Sequence, residues 1–178
     1  HLSAQELSAA LQGRGLRVEA PWIDQPGGLP MLDKLRQVLR SEVRPTDDGF
    51  VLCLCGHGNA IEFVGNDNVR TSYQAIINVI DTETKLRGAD TSNVLVADCC
   101  QIVTSAGVDQ VQLPRNMILA RSTGLRTRAF EQAGEGNVYS KRLATAIRSH
   151  AAAYSVEDLL KLTQGGVHGE IIVTENQH

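Results

Sequence analysis

A chain of 178 residues with 42% hydrophobic and 21% charged side chains has the length and apolar content for one packed domain. Its net charge of −3 leaves no electrostatic footprint for nucleic acid or an anionic membrane surface. No apolar stretch approaches the roughly 20 residues that a membrane span needs.

The opening residues carry no secretory-leader pattern. Ser3-Ala4-Gln5-Glu6 reads as a capping box, and Ala4, Leu7 and Leu11 recur at helical spacing, with Gly13 and Gly15 ending the helix. Leu16 to Ala20 alternates in polarity and predicts a strand. Asp24 to Pro30 predicts a loop. Leu32, Leu35, Val38 and Leu39 mark a second amphipathic helix, and Pro45 to Gly49 a turn. Phe50 to Cys55 is an almost continuous apolar run that stops at Gly56-His57-Gly58. Ile61 to Val64 predicts a short outer strand that turns at Gly65-Asn66-Asp67.

Tyr73, Ile76, Ile77 and Ile80 make a third helical stripe. Val94 to Ala97 is a second apolar run, stopping at Asp98-Cys99-Cys100-Gln101. Val103 to Arg115 predicts a loop, Met117 to Ala120 a buried strand, and Ser122 to Gly136 a second loop in which Ser122 reads as the start of a turn, with a hydrogen bond to substrate as the alternative. Tyr139, Leu143 and Ile147 carry a helix. Ser155-Val156-Glu157-Asp158 caps a last one, and Ile171 to Val173 predicts a final strand. Short apolar runs alternating with amphipathic helices predict an α/β fold, a largely parallel sheet with helices on both faces.

In such sheets ligands sit beyond the carboxyl ends of the strands. Here one apolar run delivers an imidazole, His57, and the next a thiol, Cys100. A thiol becomes a nucleophile when a base or a cation favours its thiolate. Gly58 has no β-carbon to keep a substrate away from the backbone, and its N–H and that of Cys100 suit an oxyanion hole. Strand alternation puts Asp98 and Cys100 on one face and turns Cys99 into packing.

Bland readings stand beside these. A cysteine at a buried strand end is most often a small core hydrophobe, and that suffices for Cys53, Cys55 and Cys99. Asp98 alone also reads as a turn cap, and Glu131 alone as a solvated loop carboxylate. A zinc site is a further alternative. Cys53, Cys55 and His57 share a strand face, and Cys99 or Cys100 would supply a fourth ligand, although structural zinc usually takes ligands on turns. The clustered cysteines fit free thiols in a reducing, cytoplasmic setting better than a disulfide scaffold.

Cys-Gly-His-Gly after one buried strand and Asp-Cys-Cys after the next resemble the caspase-like cysteine proteases, most closely the arginine- and lysine-cutting metacaspases and paracaspases. The resemblance implies a single caspase-like peptidase domain over residues 1–178. It implies a dyad of His57, in the family's His-Gly pair, and Cys100, in its Asp-x-Cys triplet. Ala129-Phe130-Glu131 is similar to the paracaspase Ala-Phe-Glu, whose glutamate helps bind a basic P1 side chain. With Asp98, Glu131 would therefore line S1. Protein or peptide substrates are implied; no resident metal, nucleic acid or membrane partner is. The resemblance leaves calcium activation and oligomeric state open. The family's first core strand would precede Ser3 and is not in this chain; Ser3 is near the place of an acidic residue that often helps line S1, which leaves two acids for the pocket. Gln101-Ile102 follow the nucleophile where the family frequently has His-Ser-Gly or a basic residue. A catalytically silent, partner-binding module is the alternative.

Overall fold

A computed structural model describes residues 2–19, 30–65, 68–88, 91–99, 111–122, 131–132, 136–149 and 171–173. The first helix, α1 (Leu2–Gly13), closes in a turn where Gly15 adopts φ +79°. There Gly15 N donates to Gln12 O at 2.9 Å and Leu16 N to Leu11 O at 3.3 Å, a left-handed cap that glycine enters without strain. Ser3 is not the cap of this helix. It lies inside it, buried, and its Oγ accepts from Asn137 N at 2.7 Å. The strand expected from Leu16 is absent over residues 16–19. Leu16 is exposed there, and Arg17 reaches out to Asp47 at 2.9 Å, so this stretch neither buries a face nor pairs with a neighbour.

Helix α2 (Met31–Glu42) buries Leu35 and Leu39 as its spacing requires. Then come β1 (Gly49–Cys55), β2 (His57–Gly58), β3 (Glu62–Val64) and β4 (Arg70–Ser72). Ser72 caps α3 (Tyr73–Leu86), its Oγ accepting from Ala75 N at 3.1 Å. Next are β5 (Ser92–Asp98), β6 (Met117–Arg121), β7 (Glu131–Gln132), β8 (Gly136–Asn137), α4 (Val138–Ser149) and β9 (Ile171–Val173). The helix expected at Ser155, and most of the two loops expected at 103–115 and 122–136, lie outside the described residues.

The central sheet runs β1-β5-β6-β9, the first three strands parallel and β9 antiparallel on β6. One face, with Leu54, Leu95, Ala97, Cys99, Met117 and Leu119, packs on α2 and α3. The other, with Val94, Val96 and Ala120, packs on α1 and α4. This is the expected α/β architecture. It differs in one respect: β5 is buried nearly throughout, while most of β1 is half-buried, because β1 pairs with β5 alone among the described residues. Two small antiparallel sheets, β2-β3-β4 and β7-β8, flank the carboxyl end.

Candidate active site

The register of β1 on β5 sets Cys55 opposite Asp98, so the two strands end level. Gly56 N donates to Asp98 O at 3.2 Å, carrying the pairing one step past the strand. Beyond it the chain enters β2, where His57 is exposed and pairs with Val64. The next three residues are held locally. Asn59 Oδ1 accepts from Ile61 N at 2.8 Å and Glu62 N at 2.9 Å, and Tyr73 N donates to Ile61 O at 2.9 Å.

Gly58 sits where no larger residue fits. A β-carbon there would stand 2.8 Å from Cys99 Sγ and 2.8 Å from the Glu62 carbonyl oxygen. The glycine after His57 is thus demanded by packing against the residue that precedes Cys100. Cys99 itself is fully buried among α2 and α3 residues, as strand alternation predicts, and its Sγ lies 2.8 Å from the Tyr73 hydroxyl. Cys100 lies outside the described residues.

Asp98 turns to the opposite face and is 1% exposed. Its Oδ2 accepts from Ser140 N at 3.1 Å and from the Ser140 hydroxyl. Ser140 lies in the first turn of α4, so the carboxyl caps that helix from another strand and meets the positive end of its dipole. Burial pushes the Asp98 carboxyl above the usual carboxylate range, against the opposing pull of its hydrogen bonds, that of the Ser140 hydroxyl foremost. Its Oδ1 is buried without a hydrogen-bond partner among the described residues.

The surroundings of Asp98 are polar yet buried. Cys55 Sγ lies 3.5 Å from Ser140 Oγ, and burial pushes its thiol up to about 11. Burial raises the Cys53 thiol and the Tyr139 phenol as well. Cys53 and Cys55 face α1 and α4 whereas Cys99 faces α2 and α3, so these three thiols do not converge. Ser122, expected to begin a turn, is buried at a bend, its N donating to Ala97 O at 3.1 Å and its Oγ to Cys99 O at 3.3 Å.

Glu131 lies in β7 and pairs with Asn137. Asn137 Nδ2 donates to Asp98 O at 3.0 Å. The backbone of Glu131 is therefore bound to the residue that holds the end of β5. Sequence reasoning missed Asn137 and Ser140. Neither carries a signal: one is a polar residue before a helix, the other a small polar position within an amphipathic stripe.

The caspase domain family model matches residues 2–177. The chain belongs to the caspase-domain family. It is a caspase-like α/β domain of the cysteine-peptidase type, a class that acts on protein or peptide substrates. No curated protein matches the chain. Among the described residues, no helix is long and apolar enough to cross a membrane.

Proposed function

We propose that residues 1–178 form one cysteine endopeptidase domain that cleaves after Arg or Lys, with His57 as base and Cys100 as nucleophile. The observation that carries the reading is the level ending of β1 and β5, with Gly56 N bonded to Asp98 O and Gly58 against Cys99. The first contact joins the residue before His57 to the end of β5, and the second sets the residue after His57 against the Cys99 side chain, next to Cys100.

In the proposed reaction His57 takes the Cys100 thiol proton and the thiolate attacks the scissile carbonyl. The Gly58 and Cys100 N–H groups hold the oxyanion. Collapse of the tetrahedral intermediate expels the amine, which leaves with the proton from His57. Water, deprotonated by His57, then hydrolyses the thioester and restores the thiol.

Asp98 and Glu131 are the proposed S1 acids. Asp98 has one carboxylate oxygen committed to Ser140, while the other has no partner among the described residues. The β7–β8 pairing ties Glu131 to the same corner. A guanidinium entering there would favour ionised Asp98 and form a charge-assisted pair. The Cys53, Cys55 and Cys99 thiols, none in a disulfide, support a reducing, cytoplasmic setting.

A peptide library varied at P1 tests the reading through kcat/KM. Arg is expected fastest, Lys intermediate because an ammonium lacks the two-pronged fork, and Asp slowest through like-charge repulsion. Asp98→Ala is expected to lose most of this preference and Glu131→Ala part of it. Fastest cleavage after Asp would refute the S1 assignment and leave the dyad standing. No turnover of any peptide would favour a silent, partner-binding domain.

A further inference from the structure

Arg121 ends β6 at 1% exposure, a fully buried guanidinium for which the proposed chemistry has no use. Burying a group that stays charged is costly unless surrounding dipoles and rings hold it. It does not belong with Asp98. On β6 it follows Met117 and Leu119 toward α2 and α3, while Asp98 faces α4. Its Nη1 donates to the Ala60 carbonyl at 3.2 Å, and its guanidinium carbon lies 5.8 Å from the centre of the Tyr73 ring. The Tyr73 hydroxyl lies 2.8 Å from Cys99 Sγ, and that sulfur would stand 2.8 Å from a β-carbon on Gly58. One buried group thus touches the chain two residues past Gly58 and, through Tyr73, the residue before Cys100.

We propose that Arg121 is a positioning residue for catalysis, one that fixes the His57 segment relative to the end of β5. The inference rests on the His57/Cys100 reading. His57 sits on a two-residue strand and is exposed, so its own contacts do little to aim it. The bond to Ala60 O ties the far side of that segment to the central sheet. A base must lie within hydrogen-bond reach of its proton, and a misplacement of about 1 Å can cost about 10²-fold in rate.

The test is Arg121→Met beside Arg121→Lys, assayed by kcat and KM on an arginyl peptide with thermal melting alongside. Methionine replaces the buried charge by an apolar chain of similar length, a change that cores often tolerate. Arg121→Met is expected to lower kcat at least about tenfold with KM little changed, since P1 recognition lies on the other face. Arg121→Lys keeps the charge and a donating head group, loses the planar fork, and is expected to recover part of kcat. Wild-type kcat in the methionine variant, a loss confined to KM, or a lysine variant no better than methionine would each overturn the inference. Should Arg121→Met fail to fold, Arg121→Lys carries the test: reduced kcat at constant KM supports the inference, and unchanged kcat overturns it. A wild-type protein without turnover would overturn the dyad reading and this inference together, whereas an active wild type with an equally active methionine variant overturns this inference alone.

Discussion

Asp98 and Cys99 are neighbours in the chain and face opposite layers. On the α1/α4 side, Asp98 lies in a corner of polar groups: Ser140, Ser122, Asn137, Tyr139 and the Cys55 thiol. On the α2/α3 side, Cys99 lies under Gly58 and against Tyr73, with Arg121 across the Tyr73 ring. The first corner is arranged by hydrogen bonds, with one carboxyl oxygen unpartnered among the described residues. The second is arranged by close packing, with no room for one more carbon. A strand that alternates by one residue can therefore serve two tasks at its tip. The carboxyl side is the one proposed above to recognise a cation; on the other side packed sulfur and glycine fix backbone position.

The largest expected effect falls on the proposed base, which stands apart from both corners on β2. His57→Ala is expected to lower kcat roughly 10²- to 10⁴-fold, the usual range for loss of a general base. The melting temperature should stay close to wild type, because an exposed side chain on a two-residue strand contributes little to the core. Activity near wild type would assign the base elsewhere.

Next comes the packed corner. Gly58→Ala forces a β-carbon against backbone oxygen and sulfur, and overpacking of this kind costs about 1–3 kcal/mol. Gly56→Ala meets only the edge of the Phe63 ring, at 3.3 Å, which can give way. Thermal melts should separate the two, Gly58→Ala the lower, with Cys99→Ala restoring part of the loss by removing the sulfur. Equal melts would show that the Gly58 contact is not tight.

The polar corner gives the smallest effect, and its sign follows from linkage. Burial raises the Asp98 carboxyl, so the folded protein keeps this proton at pH values where the unfolded chain has lost it. Its contribution to stability is fully present below the unfolded carboxylate range and is lost as pH rises through the raised value. Relative to Asp98→Asn, which does not titrate, wild-type stability should decline from acid toward neutral pH. A constant difference in melting temperature across that span would refute the raised carboxyl.

Much of this was legible before any coordinates. The apolar runs of β1, β5 and β6 and the stripes of α2, α3 and α4 announce themselves because burial of one face imposes a period. Gly58 was legible as special, yet for an additional reason: its lack of a β-carbon accommodates Cys99 as well as leaving the backbone open. The strands β2, β4, β7 and β8 are two or three residues long and mostly polar, too short to show a period. The Ser3 capping box misled because a serine oxygen accepts any nearby N–H. Here the donor is Asn137, which only the folded chain brings within reach. Arg121 gave no warning, since a charged residue closing an apolar run ordinarily marks a strand leaving the core.

The most direct measurement of the central claim is the site of covalent capture by an arginyl chloromethylketone, read by peptide mapping of the folded protein at neutral pH. Cys55 is a poor competitor because burial pushes its thiol up to about 11, and burial also raises the Cys53 thiol and encloses Cys99. The account predicts one adduct, on Cys100, formed fast in the wild type and slowly in His57→Ala. An adduct on Cys53, Cys55 or Cys99, or no adduct at all, would contradict it.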